Sequence, residues 1–386
     1  MTILNQKVAN NQTRSGHQSG LNTGTINPLY QEQYGGEVEK RFLKASFMRQ
    51  FFQFKSIRGT DTLTNDRMGF SALQKVTRGE RPHDNSVTFD NISVKVDTIV
   101  LARTNSFLLE EFQAHIDVRK EVGTEHGREI GKFFDESFLI QGIKAAQITN
   151  RVPTKSNPAT DVVDGYSDVG GWEDVIVAGT GTPDVSGDVT VRTAPEGFQG
   201  ATTVQLGSVN DELDPVALEL AIQDMCQGIE EKDVDIMEAV ILLRPAQYYV
   251  LLKNDKLMNK DFSASNGDYA EGMILKSNGV RIQTTNRFPR VSDVGATHYL
   301  SNAGNNNAYD VTGTDFNCVC VLLMPKALLA GETIPLVSKV YYVDQEFQWF
   351  VDSYLSFGVT PNRAEMAAAI FRSDVTSDVP FGKSVY

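Results

Sequence analysis

Apolar residues recur along this chain with changing period, and the changes divide it into parts. Over residues 1–28, Asn, Gln, Thr, Ser and Gly outnumber large apolar side chains, so this stretch cannot bury enough surface to order itself alone and reads as an arm. From Leu29 to Phe54, Val38, Phe42, Phe47, Phe51 and Phe52 stand among Lys and Arg, a spacing that predicts an amphipathic helix interrupted near Gly35 and Gly36. Residues 55–98 predict two extended stretches joined by the basic span Lys75 to Asn85. Val87 and Phe89 fall on odd positions but Ile92, Val94 and Val96 on even ones, so the buried face is expected to switch through a bulge or a crossing into a core sheet. Such a ribbon holds too few apolar residues for a core of its own, and an isolated two-stranded ribbon is marginal in water.

The period then becomes helical. Asp117 is a good N-cap for a helix running to about Gln147, with Val118, Val122, Ile130, Phe133, Phe134, Phe138 and Ile143 as candidate buried positions. At 1.5 Å per residue its length is on the order of 45 Å. Gly123, Gly127 and Gly131 repeat every four residues on one face, and each costs about 1 kcal/mol of helix propensity relative to alanine. Close approach of a sheet would offset that cost; a broken helix is the alternative. Residues 150–209 turn rich in Gly, Thr, Val and Asp and read as an inserted loop or small β-rich excursion. Helical spacing returns from Pro215 to Ile229, a buried strand follows at Ala239 to Leu243, and Pro245 suits the first turn of a helix carrying Tyr248, Tyr249 and Leu252. Val280 to Ile282 and Cys318 to Met324 predict further strands of this α/β alternation. Leu336 to Phe357, dense in β-branched and aromatic residues, predicts long strands covered on both faces.

Charge sharpens the picture. The chain of 386 residues carries a net charge of −13, but residues 1–55 hold seven Lys/Arg against three Asp/Glu, a net of +4, leaving −17 for the rest. Residues 210–238 hold ten acids and one lysine. Such a body repels phosphate, which argues against tight DNA binding and leaves a basic arm reaching an acidic neighbour as the more natural pairing. No apolar run is long enough to cross a membrane as a helix and the start lacks the order of a secretory signal, so a soluble, intracellular product is expected.

Chemistry is hard to find. Cys226, Cys318 and Cys320 give neither a disulfide framework nor a zinc site, and Cys318 and Cys320 sit on one face of an apolar strand, as buried thiols do. His17, His83, His115, His126 and His298 are scattered without ligand spacing, and Gly179 to Pro183 lacks the lysine of a phosphate loop. No metal, cofactor or catalytic set is expected. An arm, a ribbon that cannot stand alone, a long helix and an acidic body together describe a part that completes itself through neighbours.

Several segments carry a resemblance. Tyr34-Gly35-Gly36-Glu37-Val38 with Arg41, Phe42, Ala45 and Ser46 resembles the arm of major capsid proteins of short-tailed, T-seven-like phages. Ile116-Asp117-Val118-Arg119 resembles the entry to their spine helix. Arg244 to Tyr249, Asn278 to Ile282 and Arg287-Phe288-Pro289 are similar to the strand, helix and strand of their axial domain, and Phe357-Gly358-Val359 with Arg363 to Ala369 resembles their closing loop and last strand. The order of these segments spans nearly the whole chain except 150–209. The resemblance implies an α+β, HK-ninety-seven-type capsid fold: arm 1–57, extended loop 58–98, peripheral domain 99–150 with 330–386 and a spine helix over 117–147, insertion 151–209, and axial domain 210–329. It implies a homo-oligomer of hexamers and pentamers forming an icosahedral head in the virion, assembled in the host cytoplasm. A scaffolding protein, a portal protein, a possible decoration protein and weak, non-specific contact with packaged DNA are the implied partners.

Arm and extended loop would then lie over neighbours and bury apolar residues that a lone subunit exposes. The candidate inter-subunit contacts are Tyr34, Glu37, Phe42, Phe47 and Phe51 in the arm, Arg67, Lys75, Arg78 and Arg81 in the loop, and Asn362 and Arg363 in the closing segment. Some relatives link Lys and Asn side chains covalently, which makes Lys75 and Asn362 a pair to examine. Two rival readings are a nanocompartment shell of the same fold, resembling the encapsulins, and a glycan-processing enzyme with unrecognised carboxylates.

Overall fold

The computed structural model describes residues 38–69, 78, 87, 89–107, 118–148, 198–208, 210–254, 267, 268, 273, 274 and 276–372. The chain opens with helices α1 (38–45) and α2 (Met48–Phe51), then strands β1 (Phe54–Ser56), β2 (Thr62–Met68), β3 (Phe89–Lys95) and β4 (Val100–Phe107). Helix α3 (Val118–Ala146), strand β5 (Thr202–Gln205), helix α4 (Pro215–Glu230), strand β6 (Val240–Leu243) and helix α5 (Pro245–Leu251) follow. Strands β7 (Gly267–Asp268), β8 (Met273–Ile274), β9 (Lys276–Ser277) and β10 (Val280–Thr284) precede a short helix α6 (Gly313–Phe316). The chain then runs through β11 (Cys318–Leu323), β12 (Leu328–Val343), β13 (Gln348–Pro361) and β14 (Ala367–Phe371).

These elements fall into two compact units, with the described parts of Met1–Asp61, Val96–Glu136 and Gly331–Gly358 in the first and of Thr62–Lys95, Ser137–Ala330 and Val359–Tyr386 in the second. The division runs through α3, an unbroken helix of 29 residues, so the broken-helix alternative does not hold.

In the first unit, strands order β1-β12-β13-β4. Arg103 and Asp352 face each other across the β4–β13 ladder and make two hydrogen bonds of 2.8 Å. Near the turn between β12 and β13 the aromatic residues form ring pairs, Tyr341 on Phe350 at 5.5 Å and Tyr342 on Trp349 at 5.0 Å. Within Leu336 to Phe357, Lys339 is exposed and Tyr341 to Val343 are half-buried, whereas Val351 to Ser353 and Leu355 to Phe357 are buried at consecutive positions, so the expected cover on both faces is met in the second half of β13 and not in β12.

The glycine repeat of α3 does serve close approach, but of a helix and not of a sheet. A Cβ added at Gly127 would stand 2.6 Å from the Val38 carbonyl oxygen, and one at Gly131 would stand 2.9 Å from Ala45 Cβ, so α1 rests directly on α3. Phe134, fully buried, lies in a ring cluster with Phe42 at 5.4 Å, Phe54 at 5.6 Å and Phe357 at 4.7 Å. Gly127→Leu is therefore expected to lift α1 off α3. The overpacking would cost about 1 to 3 kcal/mol, read as faster proteolysis within residues 38–57.

The second unit is built on a six-stranded mixed sheet ordered β5-β14-β11-β6-β10-β9. Strands β6, β11 and β14 are buried at every residue, which accounts for their uninterrupted apolar sequence. Two pairings join segments far apart in the sequence. Thr202–Gln205, expected in the insertion, is an edge strand parallel to β14, and β14 itself, expected in the peripheral domain, pairs with β11 in this sheet. Helix α4 covers the sheet with Leu218, Ala221, Ile222, Met225 and Ile229, and the Asp214 carboxylate accepts from Val216 N at 3.0 Å as its cap. The thiols of Cys226, Cys318 and Cys320 are free and buried, and burial pushes Cys226 up to about 11.

His298 gives this unit a defined acid response. Its Nδ1 accepts from Leu300 N at 3.2 Å and its ring stacks on Tyr309 at 5.5 Å, while burial outweighs Asp310 and Asp293 and, with the Lys144 ammonium, lowers it from 6.5 to about 4. The folded state thus resists protonation where the unfolded chain accepts it. Stability from this group is complete above pH 6.5 and is lost as pH falls from there toward 4, by on the order of 2 to 3 kcal/mol. Denaturant midpoints measured across that range should fall with pH in the natural chain and fall less in His298→Asn.

Candidate functional site

Two segments, the hairpin in the second unit and the arm in the first, show how their residues are held. Strands β2 and β3 form a hairpin in continuous register from Thr62↔Lys95 to Met68↔Phe89, without the bulge expected near Phe89. Period two sends Leu63, Asn65, Arg67, Asp90, Ile92 and Val94 to one face. Arg67 is the anchor of that face. It pairs with Asp90 across the ladder, donates to the Asn362 carbonyl oxygen, and its guanidinium lies 4.6 Å over the Phe198 ring. Asn65 Nδ2 donates to Asn362 Oδ1 at 3.1 Å, and Asn362 Nδ2 donates to the Lys326 carbonyl at 3.1 Å.

The opposite face is polar, with Thr62, Thr64, Asp66, Asn91, Ser93 and Lys95, until its far end. There Met68 and Phe89 stand directly opposite each other, 57% and 73% exposed. Phe89, apolar on an odd position, packs into no core among the described residues, and the expected face switch does not occur between Phe89 and Lys95. A large aromatic residue and a methionine side by side in water form a sticky patch where hairpins normally carry polar groups.

The arm is held differently. The Asp135 carboxylate, buried on α3 four residues beyond Gly131, accepts from Ser46 Oγ at 2.6 Å, Phe47 N at 3.0 Å and Met48 N at 3.2 Å. It stops α1 and starts α2, placing the helix break at Ser46 and Phe47. Arg49 pairs with Glu332 at 3.0 Å and lies 4.3 Å over Phe54.

The candidate contacts divide accordingly. Phe42, 4% exposed, packs against Phe134 of its own chain. Phe47 and Phe51 are half-buried and stacked on each other at 5.5 Å. Arg67 and Asn362 are joined within the chain as described, and Arg363 pairs with Glu365 at 2.8 Å. Arg78 is exposed in a turn. Tyr34, Glu37, Lys75 and Arg81, together with the interruption at Gly35 and Gly36, lie outside the described residues. Sequence reasoning missed Asp135, Asp90, Phe198 and Met68. Asp135 was within reach, since it continues the four-residue step of Gly123, Gly127 and Gly131 and puts a carboxylate on a face otherwise made for close packing.

Among the described residues no group of three His, Cys, Asp or Glu side chains gathers to hold a metal ion, and no helix is long and apolar enough to cross a membrane. No family model and no curated protein matches this chain. Solved structures do. The mature capsid of bacteriophage PhiM1 is 25% identical, with a TM-score of 0.63 over 86% of this chain and 88% of that one. The capsid of the cyanophage P-SCSP1u is 15% identical, with a TM-score of 0.65 over 86% of this chain and 89% of that one. This likeness covers both compact units, and the chain has the α+β, HK-ninety-seven-type fold of bacteriophage capsid subunits.

Proposed function

We propose that this chain is the major capsid protein of a short-tailed, T-seven-like phage, whose copies form hexamers and pentamers and close into an icosahedral head around double-stranded DNA. The capsid fold supports the class of protein, and the exposed Met68–Phe89 pair on the β2–β3 hairpin is the observation that carries the assembly. Burying such a pair on a sister copy gains roughly 2 kcal/mol or more per contact. Each contact is modest, but a subunit in a closed array makes several, and the sum holds the wall. The acidic body suits a container that should not trap its cargo, with DNA touched only weakly and non-specifically.

In this reading a scaffolding protein guides assembly in the host cytoplasm, a portal protein occupies one vertex, and a decoration protein is an optional addition to the virion surface. Size-exclusion chromatography with light scattering tests it. The purified chain, alone or co-expressed with a scaffolding protein, should elute as rings or shells. A stable monomer under every condition would end the proposal.

A further inference from the structure

Helix α4 has a second face that its own core does not use. On helix α4, Val216, Leu220, Asp224, Gln227 and the C-cap Glu231 follow one another at steps of three and four and are all exposed, and exposed Leu213 lies in the turn just before the N-cap. The first two helix positions are apolar, 49% and 51% exposed, and the last three are acidic or polar. The core side of the helix is already filled by Leu218, Ile222, Met225 and Ile229, so this stripe adds nothing to the fold of its unit. Single exposed apolar residues are ordinary, but two one turn apart on a helix face followed by carboxylates make a surface with a defined complement. That complement is a short helix presenting an apolar side chain between cations.

The same chain carries one. Helix α1 turns Val38 and Phe42 inward and leaves Lys40, Leu43 and Lys44 outward, with Leu43 41% exposed. Residues 210–238 hold ten acids and one lysine, whereas residues 38–55 hold five of the seven Lys/Arg of the first 55 residues, so the two surfaces are opposite in charge. Both faces are exposed in the single subunit. We propose that the outer face of α1 in one copy docks on the outer face of α4 in a second copy, Leu43 seated against Val216 and Leu220, with Lys40 and Lys44 toward Asp224 and Glu231. This contact rests on the assembly reading and adds to it a specific pairing of surfaces, separate from the hairpin.

Thiol cross-linking in assembled particles tests it, because Cys226, Cys318 and Cys320 are buried and leave introduced surface cysteines as the reactive ones. Copies carrying Leu43→Cys are co-expressed with copies carrying Leu220→Cys, and the particles are treated with a short bis-maleimide. A linked dimer on a denaturing gel, with the 43–220 peptide pair identified by mass spectrometry, is the expected result. Independently, Lys40→Glu with Lys44→Glu should lower particle yield about tenfold, and adding Asp224→Lys with Glu231→Lys should restore it, as for charges that meet directly. Particles at unchanged yield without a 43–220 link would overturn the docking and leave the capsid reading standing. So would a link from position 220 to a scaffolding protein and not to another copy. If the unsubstituted chain forms no particles at all, both fail.

Discussion

Asp135→Ala is expected to release the arm segment 38–57 and to cost the subunit on the order of 3 to 5 kcal/mol. The carboxylate is buried and accepts from one hydroxyl and two backbone N–H groups. Its removal strands these donors in a buried site, and hydrogen bonds to a carboxylate contribute about 1.5 to 3 kcal/mol each without adding fully. Asp235→Ala is the control. That carboxylate also caps a helical turn, accepting from Met237 N at 2.9 Å, but it is exposed, and its loss should cost about 1 kcal/mol. Denaturant midpoints and limited proteolysis would show a large shift with new cleavage inside 38–57 for the first variant and neither for the second.

The second large effect falls on assembly and spares the fold. Met68→Asp combined with Phe89→Asp removes an exposed cross-strand pair, so the subunit should keep its secondary structure and its denaturant midpoint. In a shell the same change puts two carboxylates where an apolar pair was covered. A loss of about 2.7 kcal/mol at a contact is roughly a hundredfold in its equilibrium constant, and a closed array multiplies that over every copy. Particle yield should drop below detection while soluble subunit accumulates. Met68→Leu with Phe89→Tyr should assemble.

How far the sequence led depends on the range of the interaction concerned. Local signals were clear: the Pro245 helix start, the apolar run from Cys318, and the four-residue glycine step that marks a close approach on α3. The partner in that approach was not legible, because which element lies on Gly127 is a matter of tertiary packing. The arm was expected to leave its aromatic residues for neighbours. Instead Val38, Phe42, Met48, Phe52 and Ile57 are buried within the chain, since α3 offers a smooth glycine surface and a capping carboxylate to receive them. The hairpin was foreseen, but its alternation was misread by treating Phe89 as a core residue. A pattern of apolar positions cannot by itself separate a side chain buried in its own core from one kept for a partner. The pairing of β5 with β14 joins residues far apart in the chain, and parallel pairing of that kind leaves no local mark.

The central claim is that copies of this chain cover one another's hairpins in a closed shell. Cryo-electron microscopy of particles formed by the expressed protein is its most direct test. Icosahedral shells in which Met68 and Phe89 lie against a neighbouring subunit are the expected result. Shells in which that pair still faces solvent, or a protein that remains as dispersed single subunits with the hairpin bare, would contradict it.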